Sequence, residues 1–215
     1  MIDLHTHSLF SDGELLPSEL VRRAEAIGYQ AVAITDHADS SNLDWVIPRL
    51  VQVCRDLNIH WKVRAVPGVE LTHLPTDLIA PLTVRARAMG AQIVLAHGET
   101  VVEPVPPGTN QKAIYAGVDI LAHPGLIFEE EAILAREKGV FLEITSRKGH
   151  SLTNGHVARL AKKVGAHLVL NTDTHSPEDL ISRDNAMKVA FGAGLKLADF
   201  EQMIENSWKI LSRLR

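Results

Sequence analysis

The first residues of the chain place polar side chains at every second position. On a β-strand, Asp3, His5 and His7 would lie on one face, with Ile2 and Leu4 on the other. Two imidazole rings that are two residues apart on one strand face can bind the same cation. The spacing therefore predicts that His5 and His7 are ligands of one metal ion.

Residues of the same chemical kind recur along the chain, close to the ends of short runs of β-branched and apolar residues. The metal-binding candidates are His5, His7, Asp12, His37, Glu70, His97, His123, Asp173 and His175. Histidines used for packing would also occur in the middle of strands and on helices. Eleven histidines in 215 residues are, in addition, more than packing requires. The pattern predicts a metal site that holds more than one ion.

The elements that must position these side chains are short strands that alternate with amphipathic helices. We predict seven strands, at residues 2–5, 31–35, 65–70, 92–96, 118–122, 140–144 and 168–171. The predicted helices lie near residues 17–27, 44–57, 75–89, 110–115, 129–138, 154–164, 177–191 and 198–214. This alternation implies parallel strands joined by right-handed crossovers. Seven such units predict an α/β fold, a parallel (β/α)7 barrel, in which the C-terminal strand ends share one functional face.

Length and composition limit the kinds of protein that this chain can be. No linker or change of composition divides it, so we predict a single domain over residues 1–215. The net charge of −4 argues against the broad basic surface of sequence-independent duplex binders. No apolar run approaches the roughly 18 residues that span a bilayer, so no membrane partner is expected. The single cysteine, Cys54, and the lack of a signal-like N-terminus predict a cytoplasmic protein.

Six short motifs together resemble those of the polymerase and histidinol phosphatase (PHP) family. In chain order they are His5-Thr6-His7, Ser11-Asp12-Gly13, Thr35-Asp36-His37, Gly68-Val69-Glu70, Ala122-His123-Pro124 and Thr172-Asp173-Thr174-His175. The resemblance extends from residue 1 to about residue 195, and all nine ligand positions of the family are filled in order. It implies a distorted, TIM-like form of the seven-stranded barrel.

The resemblance also implies which side chains would hold which ion. Two or three divalent ions are implied, of zinc, manganese or iron, because mixed nitrogen and oxygen ligands do not choose among these metals. The first ion would bind His5, His7, Glu70 and Asp173, the second Glu70, His97 and His123, and the third Asp12, His37 and His175.

The implied chemistry is hydrolysis of a phosphoester by metal-bound hydroxide, without a covalent enzyme intermediate. Three divalent ions carry more positive charge than the three carboxylates neutralise, so the pocket attracts phosphate. A water that bridges metal ions loses its proton near neutral pH. We predict a phosphomonoesterase similar to histidinol phosphatases, with a small phosphorylated metabolite as substrate. The predicted catalytic residues are His5, His7, Glu70, Asp173 and His175.

The loop after the sixth predicted strand has no predicted metal ligand but carries side chains suited to phosphate. Arg147 can bind a phosphate group through two parallel hydrogen bonds, and Lys148 and His150 follow it closely. We predict all three as substrate-binding residues. Two further features are predicted near the site: an ordered proline-rich loop at residues 102–108, and His73, which closely follows the third strand.

Two other functions are alternatives. The PHP modules of family-X DNA polymerases resemble this chain, so the main alternative is a 3'-5' or 5'-3' exonuclease or oligonucleotide phosphodiesterase that binds short single-stranded nucleic acid. The acidic balance of the chain argues against it. Amidohydrolases also begin with His-x-His, but they typically bridge their metals with a lysine at the end of strand 4, where this chain has Ala96-His97. The sequence makes no prediction of the oligomeric state.

Overall fold

The computed structural model describes residues 1–214, in which eight strands alternate with eight α-helices. The strands are β1 (Ile2–Asp3), β2 (Ala31–Ile34), β3 (His37–Ala38), β4 (Arg64–Leu71), β5 (Ile93–His97), β6 (Ile120–Ala122), β7 (Phe141–Thr145) and β8 (Leu168–Asn171). The helices are α1 (Pro17–Ala26), α2 (Leu43–His60), α3 (Ile79–Ala88), α4 (Thr109–Ala116), α5 (Glu129–Lys138), α6 (Asn154–Val164), α7 (Arg183–Gly192) and α8 (Leu197–Arg213).

All paired strands are parallel and form a nearly closed barrel. They pair in the order β1-β2-β4-β5-β6-β7-β8, and β3 lies beside the second half of β4. A bridge between Thr6 and Thr174 joins the first strand position to the last, with the His7 N–H 2.8 Å from the Thr174 carbonyl oxygen. The prediction of a seven-stranded TIM-like parallel barrel is confirmed. The barrel is least regular between its first and last strand positions, which one bridge joins.

The strand predicted at residues 31–35 is β2, and a second short strand that was not predicted, β3, follows it. β2 and β3 both pair with β4 in the same register, with Ile34 opposite Pro67 and His37 opposite Glu70. Pro67 has no N–H to donate to the ladder, and in the gap the Glu70 N–H donates to the Thr35 carbonyl at 3.1 Å. The consequence for the site is that His37 lies directly beside Glu70.

β1 ends at Asp3, earlier than predicted, because side chains take over the hydrogen bonds of the next residues. The Leu4 N–H donates to Asn171 Oδ1 at 2.9 Å, and the His5 N–H donates to Asp3 Oδ1 at 3.2 Å. Each backbone donor is therefore satisfied without a regular ladder. Asp3 supports the backbone from which His5 projects.

One apolar cluster takes side chains from every strand position and fills the inside of the barrel. Its strand members are Ile2, Leu4, Ala31, Ala33, Val66, Ile93, Leu95, Ile120, Phe141 and Val169. Ile210 and Leu211 of α8 join this cluster, whereas alternate strand residues such as Val94 and Leu142 pack in the cluster that includes the helices. The barrel is thus a packed core and not a channel.

Two of the predicted helices begin later than expected, each after a short 3₁₀ turn. The prediction at residues 75–89 becomes Thr76–Leu78 followed by α3, and that at 177–191 becomes Pro177–Asp179 followed by α7. In the second case the Asp179 carboxylate accepts the backbone N–H groups of His175 and Ser176, at 3.0 and 2.9 Å, which fixes a turn instead of a helix. Within residues 1–214, no helix has both the length and the apolar character that a membrane crossing needs.

Candidate metal centre

The alternation that builds the barrel interior continues into polar side chains at the C-terminal strand ends. On β4, Val66 lies in the interior cluster, and Glu70, four residues later, is fully buried above it. On β5, Leu95 of the same cluster is followed two residues later by His97. Because strand residues two apart share a face, the apolar floor and the polar site belong to the same inward face of each strand.

The four predicted ligands of the first ion, His5, His7, Glu70 and Asp173, meet at the centre of this face. The Nε2 atoms of His5 and His7 lie 3.4 and 3.6 Å from Glu70 Oε2, and 3.5 and 3.2 Å from Asp173 Oδ1. Two ligand atoms that are each about 2.1 Å from one ion lie about 3.4 Å apart at a tetrahedral angle. These separations suit ligands that share an ion better than hydrogen-bonded pairs.

His123 lies beside this centre, and His97 lies next to His123. His123 Nε2 is 3.5 Å from Glu70 Oε1 and 3.8 Å from Asp173 Oδ2. The rings of His97 and His123 pack edge to face, with their centroids 4.4 Å apart. Together with His150, the two present nitrogen atoms that all lie within 4.8 Å of one another. The structure thus brings both predicted histidines of the second site together and adds His150 to them.

The predicted ligands of the third ion also come together, at the outer side of the centre. His175 Nε2 and His37 Nε2 lie 3.3 and 3.5 Å from Asp12 Oδ1. The ring of His7 lies 4.2 Å, between centroids, from both His37 and His175. The Asp12 side chain is 57 % exposed, whereas that of His7 is fully buried, so this group extends from the core to the solvent.

Backbone carbonyls determine which ring nitrogen of two histidines is free. His97 Nδ1 donates to the Gly98 carbonyl at 3.1 Å, and His175 Nδ1 donates to the Asp173 carbonyl at 2.9 Å. A carbonyl can only accept a hydrogen bond, so Nδ1 carries the proton in both rings. Nε2, which faces the site, is left with the lone pair that a cation needs.

The carboxylate of Glu143 fixes the position of the His5 ring proton in the same way. It is fully buried in the middle of β7, and its Oε1 accepts His5 Nδ1–H at 2.9 Å and Asn171 Nδ2–H at 2.8 Å. Its Oε2 accepts the backbone N–H of His123 at 3.0 Å. One carboxylate thereby orients two of the predicted metal-binding residues.

Seven buried side-chain atoms within the described residues have no hydrogen-bond partner, and all belong to predicted ligands. They are His5 Nε2, His7 Nδ1, His7 Nε2, Glu70 Oε1, Glu70 Oε2, His123 Nδ1 and Asp173 Oδ1. A buried polar atom without a partner destabilises a fold by about 1–3 kcal/mol. Nitrogen and carboxylate oxygen atoms are suitable ligands for zinc, manganese and iron. The residues present therefore fit a bound divalent cation.

Neighbouring charges shift the pKa values of His5 and His7 in opposite directions. Burial lowers the pKa of His5, but the carboxylates of Glu143 and Glu70 outweigh it and hold that pKa well above its usual value. Burial and the nearby His37 and His5 hold the pKa of His7 well below its usual value. Without a cation, His5 therefore holds its proton more tightly than a free imidazole does, and His7 less tightly.

Two predicted ligands have a backbone conformation that residues with a side chain rarely adopt. His123 has φ of 26° and Asp173 has φ of 55°. A left-handed conformation costs a non-glycine residue about 1–2 kcal/mol. Such strain persists where the surrounding structure imposes it, and it is typical of functional sites.

A cavity of about 320 Å³ opens above the centre. Its lining residues are Asp12, His37, Thr72, His73, His97, Val102, Glu103, His123, Arg147, Lys148, His150, Asp173 and His175. The three predicted substrate-binding residues are all in this wall. The Arg147 Nη1 donates to Asp179 Oδ2 at 2.8 Å, so its guanidinium group is tied to the loop that carries His175.

His150 is buried, although it lies in the wall of the cavity. Its ring stacks on that of His123 with centroids 4.1 Å apart, and its Nδ1 lies 2.7 Å from Thr100 Oγ1. Burial, together with the nearby His123, lowers its pKa to about 3. His150 is thus part of the histidine cluster as well as of the cavity wall.

Glu103 and Glu143 lie in the site although the sequence analysis assigned them no role. Glu103 Oε2 lies 3.0 Å from His97 Nε2 and 3.1 Å from His73 Nε2. Its only signal was its position in the proline-rich loop predicted beside the site. Glu143 could have been found from its strand, since it lies two residues after Phe141 on the inward face.

Comparisons with known proteins agree with this geometry. The sequence profile of the PHP domain matches residues 3–102. An uncharacterized protein of Methanocaldococcus jannaschii is 50% identical over 204 residues, which cover 94% of each chain. A probable phosphatase of Thermoanaerobacter sp. is 26% identical, over 91% of this chain and 87% of its own. DNA polymerase/3'-5' exonuclease PolX of Bacillus subtilis is 28% identical over 83% of this chain, which spans 35% of the polymerase.

Two solved structures have a similar fold. A chain of archaeal ribonuclease P, determined with mature tRNA, superimposes with a TM-score of 0.74 and 17% identity, over 99% of this chain and 90% of that one. The histidinol phosphate phosphatase of Lactococcus lactis, complexed with zinc, L-histidinol and phosphate, superimposes with a TM-score of 0.60 and 18% identity, over 91% and 94%. At these identities the likeness shows the fold alone.

Proposed function

The chain belongs to the PHP family, and from this membership and the geometry of its site we propose that it is a metal-dependent phosphoesterase. The observation that carries the proposal is the group of seven buried nitrogen and oxygen atoms without hydrogen-bond partners, all of which belong to five adjoining side chains: His5, His7, Glu70, His123 and Asp173. A fold has no reason to bury so many unpaired ligand atoms unless cations satisfy them.

We propose that nine side chains hold two or three divalent ions of zinc, manganese or iron. They are His5, His7, Asp12, His37, Glu70, His97, His123, Asp173 and His175. When bound, such ions lower the pKa of a water molecule and stabilise the negative charge of an attacked phosphoryl group. Residues 1–215 form one domain in this proposal.

The side chains of the chain itself would orient the ligands and the substrate. Glu143 holds the proton of His5 at Nδ1, so that Nε2 faces the centre. Arg147 uses one of its five N–H groups on Asp179, and the others can bind phosphate oxygens from the cavity wall. Lys148 and His150, in the same wall, complete the proposed phosphate contacts.

We propose a small phosphorylated metabolite as the substrate. A cavity of about 320 Å³ is at the small end of the range for ligand pockets, roughly 300–1,000 Å³. The similar fold of a phosphatase complexed with zinc, L-histidinol and phosphate supports a phosphomonoester of this size.

The test is hydrolysis by protein that is stripped of metal and then reloaded separately with zinc, manganese or ferrous ions. Phosphate release from a panel of phosphorylated metabolites should be absent in the stripped protein and restored by at least one metal. Should no metal restore release from any phosphoester, the proposal is wrong.

A matched pair of arginine variants tests the phosphate contact. Arg147→Ala should raise KM for the phosphoester about tenfold or more, because a charge-assisted hydrogen bond is lost. Arg159→Ala, which removes an exposed arginine on α6, should leave KM unchanged. Equal KM values for both variants would remove Arg147 from the proposed site.

The similarity to PolX supports a second candidate, an exonuclease that acts on the ends of short single strands. The same reloaded protein should then release nucleotides from a labelled oligonucleotide faster than phosphate from a monoester. The carboxylate of Glu103 at the cavity wall and the net charge of −4 make the approach of a polyanion less favourable.

A further inference from the structure

One carboxylate oxygen lies between two histidines at the cavity wall. Glu103 Oε2 is 3.0 Å from His97 Nε2 and 3.1 Å from His73 Nε2, and the three atoms lie within 4.8 Å of one another. The side chains of Glu103 and His73 are 37 % and 40 % exposed, whereas His97 is 3 % exposed. The group therefore extends from the buried centre to the solvent.

The hydrogen bonding of His97 leaves one ring nitrogen for this contact. Its Nδ1 proton is donated to the Gly98 carbonyl, so Nε2 is the atom that faces the oxygen of Glu103. A cation bound by both atoms would form two coordination bonds there.

We propose that His73 and Glu103, which lie outside the nine-residue set, join His97 of that set in a divalent-cation site at the mouth of the cavity. Two ligand atoms that are each about 2.1 Å from an ion, at a right angle, lie about 3.0 Å apart. The two oxygen–nitrogen separations, 3.0 and 3.1 Å, match this value. Hydrogen bonds have the same length, so metal titration is the measurement that separates the two arrangements. The donor set of two imidazoles and one carboxylate suits zinc, manganese or iron.

The loop that carries Glu103 is built to hold its position. Pro104, Pro106 and Pro107 restrict the backbone, and the Val105 N–H donates to the Glu103 carbonyl at 2.9 Å. A restricted loop loses little conformational entropy when its carboxylate binds an ion.

A second loop supports the first from the other side. A Cβ atom on Gly149 would lie 3.4 Å from Val102 Cγ2, so the backbone at Gly149 lies against the Val102 side chain. Thr100 Oγ1 lies 2.7 Å from His150 Nδ1. The position of Glu103 over His97 is thus determined by contacts on both sides and not by its own side chain alone.

This inference rests on the proposed function, because His97 is also a proposed ligand of the metal centre. Metal binding measured without any substrate tests the site at the cavity mouth and the metal centre separately. Wild-type protein, stripped and titrated with zinc or manganese against a chromophoric chelator, gives the number of ions and their affinities. Glu103→Gln and His73→Asn should each weaken the binding of one ion about tenfold or more and leave the other ions unchanged. Asparagine tolerates the left-handed backbone of residue 73, where φ is 51°.

Two surface variants provide matched controls. Glu130→Gln and His60→Gln remove an exposed carboxylate and an exposed imidazole that lie elsewhere in the chain, and both should bind metal as the wild type does. Unchanged affinities for every ion in either Glu103→Gln or His73→Asn overturn this site. A wild-type protein that binds no divalent ion overturns the metal centre as well.

Discussion

At the scale of single residues, the site depends on acceptors that fix the protons of its histidines. Glu143 accepts the ring Nδ1–H of His5 and the backbone N–H of His123, and the carbonyls of Gly98 and Asp173 accept the ring Nδ1–H groups of His97 and His175. A histidine that loses its acceptor can rotate or place its proton on the nitrogen that faces the centre. Metal affinity is therefore expected to depend on residues that never touch the ion.

Glu143→Gln tests this dependence. The amide retains one acceptor oxygen, so at least one of the three N–H donors that now reach the carboxylate will face an NH₂ group. We expect metal affinity to fall about 10- to 100-fold. Calorimetric titration of stripped protein measures it, with Glu137→Gln, an exposed acid on α5, as the control. Equal affinities in the two variants would mean that Glu143 does not orient the ligands.

At the scale of elements, the loops after β5 and β6 are packed against each other and carry His97 and His123. Asn110, at the start of α4, accepts the Glu99 N–H at 3.0 Å and donates to the Pro124 carbonyl at 2.9 Å. Gly125 has φ of 63°, and a Cβ atom there would lie 1.8 Å from the Glu99 carbonyl oxygen. The close approach of the two loops requires glycine at this position.

Gly125→Ala should consequently destabilise the protein much more than another glycine substitution with a similar φ. Gly139 has φ of 71°, and a Cβ atom there would meet nothing within 4 Å. Gly139→Ala should lower the free energy of unfolding by about 1–2 kcal/mol, the strain of a left-handed alanine. Gly125→Ala adds a backbone clash, for a total of about 2–4 kcal/mol. Urea denaturation measures both, and equal losses would contradict the loop packing described here.

At the scale of the whole molecule, binding of the proposed ions contributes to the free energy of folding. The ligands come from the ends of strands around the barrel, and in the unfolded chain they do not form a site. Ions that bind only the folded state stabilise it by about 2.7 kcal/mol at a concentration 100 times their Kd.

Chelation is expected to lower the melting temperature. For a chain of this size the loss of one such ion corresponds to about 5–10 °C. Thermal unfolding should be compared after treatment with a chelator and after treatment with the same chelator already saturated with metal, which should have no effect. Identical melting temperatures in both would mean that metal does not stabilise the fold.

Metal binding should also release protons. Although burial lowers them, the pKa values of His5, His37 and His123 are raised in the metal-free protein by neighbouring carboxylates, Glu70 among them. A ring with a raised pKa keeps its proton to a higher pH than a free imidazole does and must lose it when it binds a cation, so affinity should rise with pH. Calorimetry in buffers of different ionisation enthalpy should detect proton release on metal binding at pH 7. No dependence on the buffer would contradict the raised pKa values.

Part of the fold and most of the centre could be predicted from local patterns. The period-two alternation along each strand indicated both the seven barrel positions and the strand ends at which polar residues follow. His5, His7, Glu70 and Asp173 were selected in this way, and in the structure the Nε2 atoms of the two histidines lie 3.2–3.6 Å from oxygens of the two carboxylates. Their approach required only that parallel strands end on one face of a barrel.

The amino-acid sequence by itself determined the barrel, its seven strand positions and the nine candidate ligands near its C-terminal strand ends, because alternation and the order of elements are local properties. Only the tertiary structure decided that Glu143 contacts His5 across 138 positions of the chain, that β3 lies beside β4, and that Glu103 lies over His97. Those contacts depend on how loops pack and how strands pair. The residues that make these contacts are far apart in the chain, so the local sequence pattern around each residue does not predict them.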